Sequence, residues 1–196
     1  VTGNVLRQHD VSQGVANGQE VSVFKAETGE VSHWTNSLFS GMPTFQITPS
    51  YDSTSMLSWV NQILGLGFPS PVNLVFIMMV GFFLLMLSFK VKWYIAVMGA
   101  IAYAFSSYFF ILIGAGHIWK YVTLAYIPPT IAGIVWAYRG RIITGSAIAA
   151  LFAALQISWN HVQMTYYFLF VIVAIAVAYL ITAINEKTIK QWLKAT

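Results

Sequence analysis

Five long apolar runs occupy most of this sequence after residue 70 and constrain its fold more than any other feature. They cover approximately residues 72–89, 93–113, 121–138, 142–157 and 164–184, each near the roughly 20 residues that an α-helix needs to cross the hydrocarbon core of a bilayer. Only 8% of the 196 residues are charged, whereas soluble domains carry about 25%. The sequence therefore predicts an all-α, polytopic membrane protein with about five transmembrane helices joined by short loops.

The basic residues between these runs fall mainly on one side. Seven follow the first, third and fifth runs, whereas the short loops of the other side contain only Lys120. The seven are Lys90, Lys92, Arg139, Arg141, Lys187, Lys190 and Lys194. Because loops rich in Lys and Arg stay in the cytoplasm, we expect an external segment over residues 1–70, a transmembrane bundle over 71–185 and a cytoplasmic tail over 186–196. The net charge of +4 then reflects topology, and we expect no nucleic-acid partner.

Translocation of residues 1–70 requires a signal that the sequence does not show. No apolar segment precedes them, and the chain opens on Val1. We therefore interpret the chain as a piece of a longer protein that begins with a further transmembrane helix. The chain has no cysteine, which excludes disulfides and thiolate chemistry.

The external segment contains two predicted short helices. GQEVSVFKAETGE predicts a helix over residues 19–28 that ends at Gly29, because glycine readily adopts the left-handed conformation at a helix end. SMLSWVNQILG predicts an amphipathic helix that either lies in the membrane interface or packs on the bundle. Its apolar stripe consists of Met56, Leu57, Val60, Ile63 and Leu64.

Polar groups able to do chemistry concentrate on the external side, where all four histidines fall. In the stretch RQHD, which spans Arg7 to Asp10, the carboxylate of Asp10 suits a general base or a metal ligand. The alternative is that Asp10 caps a helix beginning at Val11. The chain contains no phosphate-binding glycine loop, nucleophile elbow or HExxH motif.

The stretch GAGHIWKY places His117 and Lys120 three residues apart, on one face of a helix that begins before Lys120. Lys120 is suited to bind a lipid-linked phosphate at the membrane surface. The alternative is that Lys120 only extends toward the headgroups, as interfacial lysines do, and that His117 bonds to a loop carbonyl.

The stretch SWNHVQMTYY joins the last two apolar runs and carries Asn160, His161 and Gln163. It predicts a hairpin turn, which is either only a turn or also one wall of an external pocket. Gln156 and Thr165 continue the polar character into both flanking helices. Since lipid cannot satisfy amide and hydroxyl groups, we expect these two to face the interior of the bundle.

Pro128 and Pro129 lie within the third apolar run. Each proline removes a backbone donor, so we expect the helix to kink or unwind there. Freed carbonyls are tolerated in a membrane where protein or a water-filled cavity satisfies them. The pair therefore indicates either a cavity open to the outside or a purely structural kink.

Four stretches together resemble the bacterial membrane protein YfhO family: RQHDVSQG, ETGEVSHWTNSLFSGMPTFQI, FSSYFFILIGAGHIWKYVTLAYIPPTIAGI and ALQISWNHVQMTYYFLF. They occur in this order and extend over most of the chain. The family is similar to the GT-C superfamily of membrane glycosyltransferases. The resemblance implies a first external loop with short interfacial helices, a polyprenyl-phosphate sugar donor that enters from the lipid, and a cell-envelope acceptor.

The resemblance also implies roles for single residues. Asp10 matches the acidic position of the loop and is expected to be the catalytic base or a metal-associated carboxylate. The expected substrate-binding residues are His9, Trp34, His117, Lys120, Asn160, His161 and Gln163. Of these, His117 and Lys120 face the donor phosphate, and Trp34 with the SGMP turn closes over the acceptor or sugar. No second acid stands beside Asp10, which leaves a divalent metal undecided.

Two other functions remain open from the sequence. The same polar groups would line a passage in a transporter or lipid-handling protein, with the proline pair marking a moving helix. Transporters usually bind substrate near the bilayer midplane, whereas these groups gather at the external helix ends, which favours surface chemistry. A catalytically silent scaffold of cell-envelope assembly could have the same fold.

Overall fold

The computed structural model describes residues 8–47 and 55–196, and this part of the chain is mostly helical, as predicted. Arg7 lies outside the described residues. The first part of the chain forms α1 (His9–Asn17), α2 (Gln19–Thr28), a hairpin of β1 (Trp34–Thr35) and β2 (Met42–Pro43), a 3-10 turn (Thr44–Gln46) and α3 (Ser55–Leu64). The rest forms α4 (Val72–Ser88), α5 (Trp93–Ala104), α6 (Ser107–Ala115), α7 (Ile118–Tyr138), α8 (Ile142–Ser158), α9 (Val162–Asn185) and α10 (Ile189–Ala195).

The apolar runs correspond to helices, with one correction. The second run, predicted as one helix, is divided into α5 and α6, which meet at a bend of 42°. The break occurs because Ser106 adopts an extended backbone (φ −65°, ψ 144°). Its carbonyl then accepts from the Phe109 amide at 3.1 Å and begins a new helix.

Helix length and hydropathy support membrane insertion to different degrees. Among the described helices, α9 is by itself long and apolar enough to cross a bilayer, with 24 residues and a mean hydropathy of 2.7. The bent pair of α5 and α6 passes the same test when both are counted as one span. The apolar helices α4 and α8 are shorter, at 17 residues each.

Helices α7 and α8 form the most closely packed pair. A Cβ atom on Gly133 would lie 2.4 Å from the Ala149 nitrogen, and one on Gly145 would lie 2.4 Å from the Ala137 nitrogen. Gly133 with Ala137, and Gly145 with Ala149, each repeat a small residue at a spacing of four, the pattern that lets two helix backbones touch. Glycine is therefore required at both positions for this packing.

The sequence predicts a kink or an unwound turn at the proline pair, and α7 continues through both prolines without an unwound turn. Both Pro128 and Pro129 are buried within the helix. A Cβ atom on Gly81 of α4 would lie 2.9 Å from the Pro129 Cδ atom, so glycine gives the ring room to pack. The Thr130 hydroxyl donates to the Tyr126 carbonyl at 2.7 Å. The prolines are thus part of the core and line no external cavity.

The segments that carry the predicted basic side lie together at one end of the bundle. The Arg139 guanidinium donates to the Ser88 carbonyl at 2.5 Å, and the Gln191 amide donates to the Tyr138 carbonyl at 3.2 Å. These contacts bring together the segments that follow α4, α7 and α9. The 21 residues of α7 separate this basic end from the opposite end by about 30 Å, at about 1.5 Å per residue.

Residues 18–45 form a folded unit, here called the outer loop. Its helix α2 has the predicted bounds. Gly29 ends the helix with φ 78°, and the Gly29 amide donates a hydrogen bond to the Lys25 carbonyl at 2.9 Å. Glu20 accepts from the Thr35 hydroxyl and from the Asn36 and Ser37 amides, both at 3.0 Å. This carboxylate therefore holds the β-hairpin against α2.

The amphipathic helix α3 presents two apolar faces instead of the predicted single stripe. Three stripe residues pack against the core, namely Leu57, Val60 and Leu64. The other two, Met56 and Ile63, are exposed together with Trp59. Packing on the bundle therefore uses three of the five stripe residues and leaves an apolar outer edge.

Candidate functional site

A cavity of about 980 Å³ lies at the end of the bundle opposite the basic residues. It is bounded by α1, α3, the turn between α6 and α7, and the turn between α8 and α9. Four predicted site residues line it: Asp10, His117, Lys120 and His161. The cavity thus combines one carboxylate, two imidazoles and one ammonium group from three separate stretches of sequence.

Helix α1 reaches the bundle because of a glycine in the α6–α7 turn. Gly116 has φ +91°, and a Cβ atom there would lie 3.1 Å from the Val11 nitrogen. The Gln8 side chain donates to the Ile113 carbonyl at 2.7 Å. These contacts fix the start of α1 beside the start of α7 and place Asp10 against His117.

Asp10 and His117 form the closest polar contact of the cavity. The Asp10 Oδ2 atom lies 2.7 Å from the His117 Nδ1 atom, and the side chains are 46% and 50% exposed. Helix α1 begins at His9 with Gln8 at its N-cap, so Asp10 lies in the first turn and does not cap the helix. Its carboxylate is directed to a histidine that solvent can reach.

Lys120 lies in the first turn of α7, half-buried in the cavity wall. Its ammonium group is 5.7 Å from the centroid of the Tyr108 ring, a distance that suits a cation–π contact. Among residues 8–47 and 55–196, no carboxylate pairs with Lys120. Its charge is therefore available to an anion in the cavity.

His161 stands at the N-cap of α9, with its Nδ1 atom 3.4 Å from the Met164 amide. Partial burial lowers the pKa of His161, and the nearby positive charge of Lys120 lowers it further, against a smaller rise from a hydrogen bond with its own backbone. Burial and the Lys120 charge both disfavour a positive charge on the imidazole. The imidazole is therefore uncharged at neutral pH in the ligand-free cavity, and an anion bound nearby would favour its protonation.

Two predicted substrate-binding residues of the external segment lie outside the cavity. His9 is exposed at the start of α1. The Trp34 indole donates to the Asn36 side chain at 3.2 Å, and a Cβ atom on Gly41 would lie 2.8 Å from its ring. Trp34 is thus packed within the outer loop, and neither residue lines the cavity.

Two further predicted residues, both next to His161, also lie outside the cavity lining. Asn160, with φ 54°, occupies the turn, and its amide donates to the Phe45 carbonyl. The Gln163 amide donates to the Tyr167 hydroxyl at 3.1 Å on the exposed side of α9. Asn160 therefore connects the outer loop to the bundle, and Gln163 faces outward.

The prediction for the polar residues inside the flanking helices is confirmed. Gln156 is 1% exposed, and its amide donates to the Thr165 hydroxyl at 3.0 Å. The Thr165 hydroxyl also lies 3.3 Å from the His161 carbonyl. This chain of contacts stabilises the α8–α9 turn from within the bundle and so supports the position of His161.

Several lining residues were missed from the sequence. Trp119 and Trp159 stand directly beside predicted residues, and Asn61 lies on α3. Asn61 accepts from the hydroxyl of the buried Tyr126. The position of Asn61 among the apolar residues of an amphipathic helix could have indicated that it faces the bundle. The sequence does not distinguish Trp119 and Trp159 from tryptophans of an interfacial aromatic belt.

The described side chains do not assemble a metal centre. Across residues 8–47 and 55–196, no group of three or more His, Cys, Asp or Glu side chains is arranged to hold an ion. Asp10 and His117 offer two ligands to a metal, fewer than protein metal sites usually contribute.

Comparison of the chain with protein-family profiles, curated proteins and solved structures returns no match.

Proposed function

We propose that this chain belongs to a polytopic protein of the bacterial plasma membrane that transfers a sugar from a polyprenyl-phosphate donor to a cell-envelope acceptor at the external face. The observation that carries the proposal is the cavity that gathers Asp10, His117, Lys120 and His161. The resemblance of the four sequence stretches to the YfhO family, and through it to GT-C glycosyltransferases, supplies the donor class.

The surface of the helices supports insertion in a membrane. Helix α9 exposes large apolar side chains along its length, and only 11% of its apolar window is buried. These side chains include Leu169, Phe170, Val173, Val177 and Ile181. Exposure of this apolar surface to water is unfavourable, whereas contact with the hydrocarbon of a lipid bilayer is not.

The arrangement of the remaining helices is consistent with five spans. Helices α4 and α8, at 17 residues each, reach about 25 Å and fit the lower end of the bilayer range. The basic residues gather at the end opposite the cavity. With that end in the cytoplasm, the cavity opens at the external membrane surface, where a lipid-linked donor presents its phosphate.

The chemistry of transfer matches the groups in the cavity. The acceptor hydroxyl must lose a proton, for which the Asp10–His117 pair is placed. The departing lipid phosphate needs positive charge, which Lys120 supplies, and His161 adds a hydrogen bond or charge once the anion is bound. Trp119 and Trp159 add aromatic surface to the wall of the cavity beside these groups.

A transfer assay tests the proposal. The full-length protein in lipid vesicles is incubated with polyprenyl-phosphate sugars and membrane-extracted acceptors, as wild type and as Asp10→Asn. We expect transfer by the wild type and a loss of at least about a hundredfold in the variant, the scale of a lost acid–base group. Glu27→Gln is the matched control, because Glu27 is an exposed acid of α2 that does not line the cavity.

Two outcomes would contradict the proposal. Equal transfer by wild type and Asp10→Asn would separate the activity from this cavity. Absence of transfer by the wild type, across donors of several sugars, would favour the transporter or scaffold functions that share the fold.

A further inference from the structure

We infer that His117, through its Nε2 atom, is the group that takes the proton from the acceptor hydroxyl, and that Asp10 is a positioning residue that holds His117 in the required tautomer. The inference rests on the proposed function and assigns the acid–base role within it. It replaces the expectation from the sequence that the Asp10 carboxylate itself is the base.

The contact between the two side chains determines which atom carries a proton. The Asp10 Oδ2 atom lies 2.7 Å from the His117 Nδ1 atom. An ionised carboxylate can only accept a hydrogen bond, so Nδ1 must be the donor. In the neutral imidazole the remaining nitrogen, Nε2, then has a free lone pair and can accept a proton.

The surroundings leave that lone pair free. Among the described residues, His117 makes no side-chain hydrogen bond other than the one to Asp10. Half of its side chain is exposed, and it lines the cavity. Asp10, in contrast, has an oxygen committed to Nδ1. The imidazole therefore presents its basic atom to a ligand, whereas the Oδ2 atom of the carboxylate is engaged by the histidine.

The backbone around the pair favours the same assignment. His117 precedes α7 directly after Gly116, and Asp10 lies in the first turn of α1, where the helix dipole stabilises a carboxylate. The contacts of Gln8 with Ile113, and of Val11 with Gly116, fix α1 on this turn. These contacts place the Asp10 carboxylate against the imidazole, where it can orient the ring and stabilise the imidazolium once the proton arrives.

The proposed step balances as follows. The acceptor O–H bond breaks as its proton moves to His117 Nε2, and the oxygen forms a bond to the anomeric carbon of the donor sugar. The bond from that carbon to the phosphate oxygen breaks, and its electron pair leaves with the polyprenyl phosphate. Lys120 neutralises the charge that this phosphate gains. The imidazolium later releases its proton to solvent, to which His117 is open.

Chemical rescue tests the inference in the full-length protein, with the transfer assay described above. His117→Ala removes the base and leaves space, so we expect transfer to fall at least about a hundredfold and to recover at least about tenfold when imidazole is added. A series of substituted imidazoles should restore rates that increase with their basicity, as general base catalysis requires. A merely structural role of His117 would not produce that dependence.

His117→Gln is the matched control. Its side-chain amide can still donate to Asp10, so the contact between α1 and α7 is kept, but it cannot accept the proton. We expect this variant to be as inactive as His117→Ala and to be unaffected by imidazole, because the glutamine fills the space.

Asp10→Asn separates positioning from proton transfer. An asparagine amide that donates to Nδ1 would place the proton on Nε2, the wrong tautomer. The same change of tautomer follows replacement of the aspartate by asparagine in the serine protease triad. We expect kcat to fall with little change in the KM of the acceptor, and Asp10→Glu to recover part of the activity. Normal transfer by His117→Ala, or failure of every imidazole to raise its rate while the wild type remains active, would overturn the inference and leave the proposed function standing. Absence of wild-type transfer would overturn both.

Discussion

Two carboxylates near the start of the chain occupy equivalent positions and have different surroundings. Asp10 lies in the first turn of α1, and Glu20 lies in the first turn of α2. One oxygen of Glu20 accepts three hydrogen bonds, from the Thr35 hydroxyl and the Asn36 and Ser37 amides. Asp10 has one partner, a histidine, in a cavity that it shares with Lys120.

Glu20 therefore has a structural role, whereas Asp10 is accessible to a ligand in the cavity. The Thr35 hydroxyl and the amides of Ser37 and Asn36 hold the pKa of Glu20 below its ordinary value, because each bond favours the ionised form. These partners belong to the backbone and fixed side chains of the outer loop. The partner of Asp10 is a histidine that solvent reaches, a residue type that can gain and lose a proton during a reaction.

If the cavity of Asp10 is the reactive region, loss of the Lys120 charge in the same cavity should have the largest effect of the substitutions that follow. Replacing Lys120 by Met keeps the length of the side chain and removes the charge that faces the cavity. We expect transfer from the lipid-phosphate donor to fall by roughly ten- to a hundredfold, the scale of a lost charged hydrogen bond. Lys25→Met, on α2 of the outer loop, is the control and should leave the rate within about twofold. A similar loss in both variants would show that general surface charge, and not the cavity, attracts the donor.

The Glu20→Gln substitution should have the next largest effect, and on stability instead of transfer. The glutamine cannot present the same ionised acceptor to the Asn36 and Ser37 amides, so the outer loop should open more often. Hydrogen exchange of these two amides should become at least about tenfold faster, with transfer changed less than about threefold. A loss of transfer as large as that of Asp10→Asn would instead show that the two carboxylates share one function.

Acidification should weaken the outer loop before it affects the rest of the fold. Since the pKa of Glu20 is lower in the folded loop than its ordinary value of 4.5, its stabilising contribution is complete above that pH and is lost as the pH falls toward the lower folded value. Protection factors of the Asn36 and Ser37 amides, corrected for intrinsic exchange, should therefore decrease below about pH 4.5. Glu20→Gln should show low protection that does not depend on pH over this range.

Sequence periodicity predicted the elements that depend on local signals. The helix of residues 19–28 with its Gly29 end, the helical runs after residue 70 and the inward direction of Gln156 all agree with the structure. The bend between α5 and α6 was not predicted, although Ser106, at the N-cap of α6, belongs to a residue type that favours helix starts. The continuous helix at the proline pair was not predicted either, because the room for Pro129 comes from Gly81 on another helix.

The cavity could be predicted only in part. Asp10, His117, Lys120 and His161 were chosen by residue type and by their predicted external position, and the structure brings them together. The same criteria also selected His9 and Gln163, because sequence does not show toward which face a side chain at a helix start will point. The pairing of Asp10 with His117 joins residues 107 positions apart in the chain, and no local pattern encodes it.

The smallest expected effect concerns Trp34, which the family resemblance assigns to the substrate and the structure places within the outer loop. Trp34→Phe keeps an aromatic ring beside Gly41 and removes only the exposed bond to Asn36, so it should cost less than about 1 kcal/mol of loop stability. Transfer should remain within about twofold, with Trp159→Phe in the cavity wall as the contrasting variant. A loss above tenfold in Trp34→Phe would mean that the outer loop moves onto the cavity during the reaction. In that case the outer loop with Glu20 and the cavity with Asp10 would be separate only in the ligand-free protein.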